Sequence, residues 1–245
     1  MNLVVDLGNT RIKYALFSGS ELKEVHIAEY AAIPVFKEII KEKKIKHSIV
    51  SCVLNQLPDF VNTLKEQTNY LEFTTQTKIP VKNLYRTAST LGSDRLAGVI
   101  GAQKLFPFKN VLVIDAGTCI KYNFINSQNE YLGGAISPGI NMRFKALHNY
   151  TGKLPLLKAD LNFNTLIGTT SDESILSGVM NGVLFEVEGT VNEYKKQYPD
   201  LTVVVTGGDS VFFEKRLKTP IFADHYLILK GLNEIIQYNF SNHGR

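Results

Sequence analysis

Two stretches of this chain, more than a hundred residues apart, share one design. Leu3-Val-Val-Asp-Leu-Gly-Asn-Thr10 and Val111-Leu-Val-Ile-Asp-Ala-Gly-Thr-Cys119 each run as an apolar segment of strand length into an aspartate, a glycine and a hydroxyl, where the chain must turn. Asp6 and Asp115 are 109 positions apart in a chain of 245, close to half its length. A feature repeated at that spacing predicts two related halves, residues 1–108 and 109–245. In such a turn, glycine lets backbone N–H groups approach a phosphate, and Asn9 and Thr10 add neutral donors. Asp6 is suited to hold a hydrated Mg²⁺ or to orient a water. A β-hairpin whose turn simply wants Gly and Asn is the competing explanation for either turn alone. The recurrence favours a nucleotide held between two turns.

The remaining composition excludes several classes. The chain is 44% hydrophobic and 20% charged, with a net charge of +4, ordinary values for a globular protein with a sizeable core. Its charges are mixed, as in Lys37-Glu-Ile-Ile-Lys-Glu-Lys-Lys44. That run reads as a solvated helix face, and no nucleic-acid partner is expected. Cys52 and Cys119 have neither metal-ligand spacing nor a disulfide framework around them and are expected to be reduced. No apolar run nears the roughly 20 residues that span a bilayer. The chain opens on a strand-like segment, so no signal peptide is expected and a cytoplasmic location is.

Hydrophobic periodicity predicts strands at 2–7, 12–17 and 21–30, a helix at 35–44, a strand at 47–53, a helix at 57–67 and a strand at 70–73. An irregular stretch, 74–87, follows. The pattern restarts with a buried helix at 96–105, strands at 111–115, 120–125 and 131–136, and a helix at 142–149. A long helix at 174–198 contains Gly178, Gly182 and Gly189, which predict close approaches of neighbouring backbone. A strand at 201–206 and a helix at 227–240 close the chain. Each half thus begins with three antiparallel strands and continues with alternating helices and strands, an α/β architecture.

Other stretches carry possible chemistry. Thr206-Gly-Gly-Asp209 is a third glycine turn after a strand. With the first two, and without a Walker-type lysine motif, it points to the actin, Hsp70 and sugar-kinase architecture. In Gly92-Ser-Asp-Arg95, Asp94 is either a helix N-cap or a carboxylate placed to accept a proton from an attacking hydroxyl. Arg95 beside it suits an anionic substrate group. Gly133-Gly-Ala-Ile-Ser-Pro-Gly139 with Arg143 reads either as a turn-rich loop or as a substrate-pocket wall. Gly168-Thr-Thr-Ser-Asp-Glu173 either caps the helix after it, through Ser171 or Asp172, or brings hydroxyls to a polar substrate. Tyr85 reads as packing, and none of the five histidines has a convincing partner in the sequence.

Together these motifs, in this order and over nearly the whole chain, resemble the type III pantothenate kinases, which open coenzyme A biosynthesis in many bacteria. Asp6-x-Gly-Asn-Thr10 resembles the first phosphate motif, Gly92-x-Asp-Arg95 the substrate and catalytic-base motif, and Asp115-x-Gly-Thr118 the second phosphate motif. Gly133-Gly-x-Ile-x-Pro-Gly139, followed by Arg143, Ala146-Leu147 and Leu154-Pro155, is the family's most distinctive run, and Thr206-Gly-Gly208 fits its adenosine-side turn. The resemblance implies two ribonuclease-H-like domains with the active site in the cleft between them, and a homodimer. It implies ATP, Mg²⁺ and a monovalent cation, K⁺ or NH₄⁺, acting on pantothenate. Carried over by position, Asp94 is the proton acceptor. Tyr85, Gly92, Ser93, Asp94 and Arg95 contact pantothenate, together with Thr170 or Ser171, of which spacing to Gly178 favours Ser171. Asp6, Leu7, Gly8, Asn9, Thr10, Arg11, Ile12, Lys13 and Thr118 contact ATP. Asp6 also serves Mg²⁺, and Asp115 binds the monovalent cation.

One departure stands out. After Gly-Thr the family usually has a small residue and, two positions on, another threonine, whereas this chain has Cys119 and Lys121. A lysine there either touches phosphate or takes over part of the cation's role. Two other readings keep parts of the pattern: a kinase of the same superfamily acting on another alcohol, or a non-catalytic nucleotide-binding regulator. The regulator would be expected to have lost Asp94 or the first aspartate motif, and both are present.

Overall fold

The computed structural model describes residues 1–30, 36–53 and 58–240. Val35 and Leu57, which the sequence places at helix starts, and His243 lie outside them. The first sheet is built from β1 (Asn2–Leu7), β2 (Arg11–Ser18), β3 (Glu21–Glu29), β4 (His47–Cys52) and β5 (Asn69–Glu72), with helices α1 (Phe36–Lys43) and α2 (Phe60–Gln67) in the connections. Its strand order is β3-β2-β1-β4-β5. β1 is antiparallel to β2 and parallel to β4, with Asp6 paired to Lys13 on one side and Ser51 on the other. All six residues of β1 are buried, as expected of a central strand covered on both faces.

The second series comprises β7 (Val111–Ala116), β8 (Cys119–Ile125), β9 (Glu130–Pro138), β10 (Thr202–Thr206) and β11 (Phe222–Ala223). Its order β9-β8-β7-β10-β11 repeats that of the first sheet. The helices are α3 (Ser93–Leu105), α4 (Ile140–Asn149), α5 (Ser171–Gln197), α6 (Ser210–Arg216) and α7 (Leu227–Phe240). Among the described residues four small elements escaped the sequence reading: β6 (Lys82–Asn83) inside the irregular stretch, a 3-10 turn at Ala88–Thr90, β11, and α6. Each is two to seven residues long, too short to establish a period. β6 exists because β9 offers it an edge, pairing Lys82 with Glu130 and Asn83 with Tyr131.

Two compact units result. The first contains Met1–Phe108, Ile125–Gly133 and Tyr226–Arg245, and the second Lys109–Phe124 and Gly134–His225. One boundary between the units falls after Phe108, and α7, which the sequence places in the second half, belongs to the first unit. The reason is a glycine-to-glycine crossing. A Cβ on Gly231 of α7 would overlap the Ala97 carbonyl of α3, and one on Gly101 of α3 would overlap the Leu227 carbonyl of α7. Backbones this close need both glycines, and no periodicity argument pairs positions 130 residues apart.

Each unit has its own core. Leu3, Val5, Leu7, Ile12, Phe36, Val50 and Leu64 fill the first. Leu112, Ile114, Tyr122, Phe144, Met180, Val183 and Phe213 fill the second. Gly178, Gly182 and Gly189 of α5 do not meet neighbouring backbone as expected: a Cβ at any of them would have nothing within 4 Å. They lie along an open side of the helix. Both cysteines are free thiols. Among the described residues no helix is long and apolar enough to cross a membrane.

Candidate active site

In the first unit, the first glycine turn and the α3 N-terminus converge through β4. Gly8 bonds across the turn from its N–H to the Arg11 carbonyl (3.1 Å), and the Tyr30 hydroxyl donates to the Gly8 carbonyl (2.6 Å). Asp6, 7% exposed, lies next to the last residue of β1, beside Ser51 of β4. The Ser51 hydroxyl lies 2.9 Å from that of Ser93, the first residue of α3. This link ties the position next to Asp6 to the position next to Asp94. Sequence gives no signal for it, because a buried serine in an apolar strand looks like any other small residue.

Asp94 and Arg95 are each 6% exposed. The Asp94 carboxylate accepts the Arg95 N–H at 2.8 Å. Gly92 is the N-cap of α3, and a Cβ on it would lie 2.6 Å from Asp94 Oδ1. The glycine of this motif therefore makes room for the carboxylate. Arg95 places its guanidinium carbon 5.3 Å from the Tyr85 ring centroid, a cation–π contact. Tyr85 is held in turn by Tyr131, stacked at 6.1 Å, and by its N–H bond to Asn83 Oδ1. Gly133, at φ +112, passes 3.2 Å from the Tyr85 ring. Tyr85, Gly92, Ser93, Asp94 and Arg95 thus form one cluster with the turn at residues 6–13 nearby in the same unit.

In the second unit, Asp115 is the next-to-last residue of β7, and Gly117-Thr118 turns into β8. The turn is tight, with Gly117 N–H bonded to the Cys119 carbonyl at 3.0 Å. Two distant glycines brace it. Gly139 donates its N–H to the Thr118 carbonyl at 3.1 Å, and a Cβ on it would overlap the Gly117 carbonyl. Gly207, at φ +95, would with a Cβ overlap the Ala116 carbonyl and lie 2.7 Å from Asp115 Oδ1. Gly139, at the end of the Gly133–Gly139 run, therefore supports the second glycine turn, and Gly133 packs on Tyr85. Lys121 of β8 donates to Asp115 Oδ2 at 2.8 Å.

The end of β9, which leads into Gly139, is anchored by Glu186 of α5. Its carboxylate accepts from Tyr122 (2.9 Å), Ser137 (2.5 Å) and Arg143. Burial pushes the Glu186 carboxyl up, but the bonds from Ser137, Arg143 and Tyr122 outweigh it and leave its pKa below the ordinary glutamate value. A group depressed from about 4.3 in the unfolded chain contributes stability at neutral pH, and that contribution is lost as pH falls through its folded pKa. Glu186→Gln is therefore expected to cost about 1–3 kcal/mol near pH 7. The gap between wild type and variant in denaturant midpoint should close on acidification below about pH 4. A gap independent of pH would refute the assignment.

Thr170, rather than Ser171 or Asp172, is the N-cap of α5: its hydroxyl accepts the Glu173 N–H at 3.2 Å, while Glu173 accepts from Thr169. Ser171 is the exposed first residue of the helix. Thr206 pairs with Asp115 across β10 and β7, bringing the third glycine turn beside the second. His225, partnerless in the sequence, meets the Ser210 hydroxyl at 2.8 Å.

The type III pantothenate kinase family model matches residues 2–193. A relative from Bacteroides fragilis, a type III pantothenate kinase, is 42% identical over 246 residues, covering 98% of each chain. The chain belongs to the type III pantothenate kinase family. Among solved structures, one from Campylobacter jejuni described as a Baf family transcriptional activator covers 97% of this chain and 98% of its own, with a TM-score of 0.63 at 21% identity. A glucokinase from an Antarctic psychrotroph covers 97% and 98% with a TM-score of 0.52 at 12% identity. At such identities these likenesses bear on fold alone. They agree with the repeated five-strand order: this pantothenate kinase relative has the two ribonuclease-H-like halves of the actin, Hsp70 and sugar-kinase fold.

Proposed function

We propose that the protein transfers the γ-phosphoryl group of ATP to the primary hydroxyl of pantothenate, giving 4′-phosphopantothenate, the first step of coenzyme A biosynthesis. The observation that carries this reading is the Gly92–Arg95 corner. A buried carboxylate has its space cleared by Gly92 and its helix start fixed by the Ser51–Ser93 contact, and a guanidinium stands over Tyr85 beside it. In the reaction the pantothenate oxygen bonds to the γ-phosphorus, the bond from that phosphorus to the bridging oxygen breaks, ADP leaves, and the hydroxyl proton passes to Asp94. Aspartate is a weak base for an alcohol, and it suffices because positioning and charge stabilisation carry most of phosphoryl transfer.

Arg95 and Tyr85, with Ser171 or Thr170, fix pantothenate; residues 6–13 and Thr118 bind ATP. Mg²⁺ binds through one or two carboxylates, substrate phosphates and retained waters. Asp6, a hard oxygen donor near the end of β1, fits that pattern. When bound, the ion supplies charge neutralisation across the β- and γ-phosphates.

The assembly state we infer is a cytoplasmic homodimer. The open side of α5, where Gly178, Gly182 and Gly189 line up with Phe185 (64% exposed), supports a helix-on-helix contact between copies. Sedimentation as a single chain would remove that part.

An ATP- and Mg²⁺-dependent assay over a panel of alcohols tests the function. Pantothenate is expected to be phosphorylated, and glucose and N-acetylmannosamine are not. Faster turnover of either sugar would assign the protein to another kinase of this superfamily.

A further inference from the structure

A carboxylate at a phosphate-binding turn poses an electrostatic problem, because it repels the phosphates the turn exists to hold. The usual solution is a cation set against it. The family resemblance implies a monovalent ion at Asp115. That group does not fit here. The Lys121 ammonium already lies 2.8 Å from Asp115 Oδ2, in a pair whose side chains are only 22% and 13% exposed. On its other side lies Gly207, whose missing side chain leaves Oδ1 uncovered: a Cβ there would be 2.7 Å away. A second cation at this carboxylate would have to share it with the Lys121 ammonium, in a partly desolvated place where like charges repel.

We propose that Lys121 replaces the monovalent cation, so that the second phosphate turn is charge-compensated from within the chain and the kinase needs neither K⁺ nor NH₄⁺. The lysine carries the same unit charge as the ion on a flexible four-carbon stem. Being tethered, it is present at any external salt concentration. Its alternation along β8 sets the side chain on the Asp115 side of the strand, while Ile120 and Tyr122 go into the core. A small residue or threonine at 121 would leave a half-buried carboxylate without its charge partner, a strongly unfavourable state. An external ion would then have a site to fill.

The activity arm of the test rests on the pantothenate reading; the binding arm does not. Wild type and Lys121→Thr are assayed for pantothenate phosphorylation in tetramethylammonium buffer, with and without K⁺ or NH₄⁺, and their melting temperatures are recorded under the same salts. Wild-type turnover is expected to change by less than about twofold on adding K⁺. Lys121→Thr is expected to lose about 100-fold without K⁺ and to recover with K⁺ or NH₄⁺. K⁺ should raise the melting temperature of the variant and not that of wild type. Strong K⁺ stimulation or K⁺-specific stabilisation of wild type would overturn the proposal. So would a folded Lys121→Thr that K⁺ fails to rescue, which would make Lys121 a direct phosphate contact. If wild type phosphorylates no pantothenate under any salt, the pantothenate reading fails, and the melting data alone decide the role of Lys121.

Discussion

Asp94→Asn is expected to lower kcat about 1000-fold while leaving the apparent KM for ATP nearly unchanged. Asparagine keeps an oxygen where Asp94 Oδ1 accepts the Arg95 N–H, so the start of α3 and the Arg95–Tyr85 contact should survive. It also fits the space that Gly92 leaves. The substitution removes little beyond the ability to take a proton and the negative charge beside the attacking oxygen. Steady-state kinetics with varied pantothenate and ATP, with circular dichroism as a folding check, would measure it. A variant within tenfold of wild type would show that Asp94 is only a buried residue at a helix start, and the search for a base would move elsewhere.

The second large effect is expected at a residue that carries no functional group. Gly139→Ala should reduce kcat/KM for ATP about 100-fold, the scale of loss that a displacement near 1 Å imposes on a positioned group. Gly139 sits at φ −71, a conformation alanine adopts freely, so backbone strain is not the cause. The cause is steric. The new methyl would overlap the Gly117 carbonyl and lie 2.6 Å from that of Thr118, and the Gly139 N–H bond to Thr118 would have to open as the turn retreats. Overpacking of this kind also costs about 1–3 kcal/mol of stability. ATP titrations of the initial rate check the kinetic part and chemical denaturation the other. Unchanged ATP kinetics would mean that the Asp115–Thr118 turn does not hold phosphate.

Much of this was legible in the sequence. Strands of five or more residues are long enough to show alternation or continuous apolarity, and β1, β4, β7 and β10 all do. The duplicated Asp-x-Gly turns predicted duplicated halves, and the two sheets do repeat one strand order. Asp94 and Arg95 were legible as candidates from their motif, and the fold sets the Tyr85 ring beside Arg95. The glycines of α5 show the opposite outcome. Their spacing suggested tight packing inside the chain, yet spacing along a helix says which residues share a side and nothing about what covers that side.

The sequence by itself determined the elements, the turns that end them and the residue types able to do phosphoryl-transfer chemistry, because those depend on neighbours within a few positions. Only the tertiary structure decided that α7 closes the first unit and that Ser51 fixes the start of α3. It alone showed that Gly139 and Gly207 brace the second turn, that Glu186 gathers three donors, and that Lys121 stands against Asp115. All but the last of these contacts join groups 20 or more positions apart. Lys121 is near Asp115 in sequence, but its contact depends on how two strands register across a turn. Excluded volume and hydrogen bonding between distant backbones act only once the chain is folded, and they leave no period for a sequence to display.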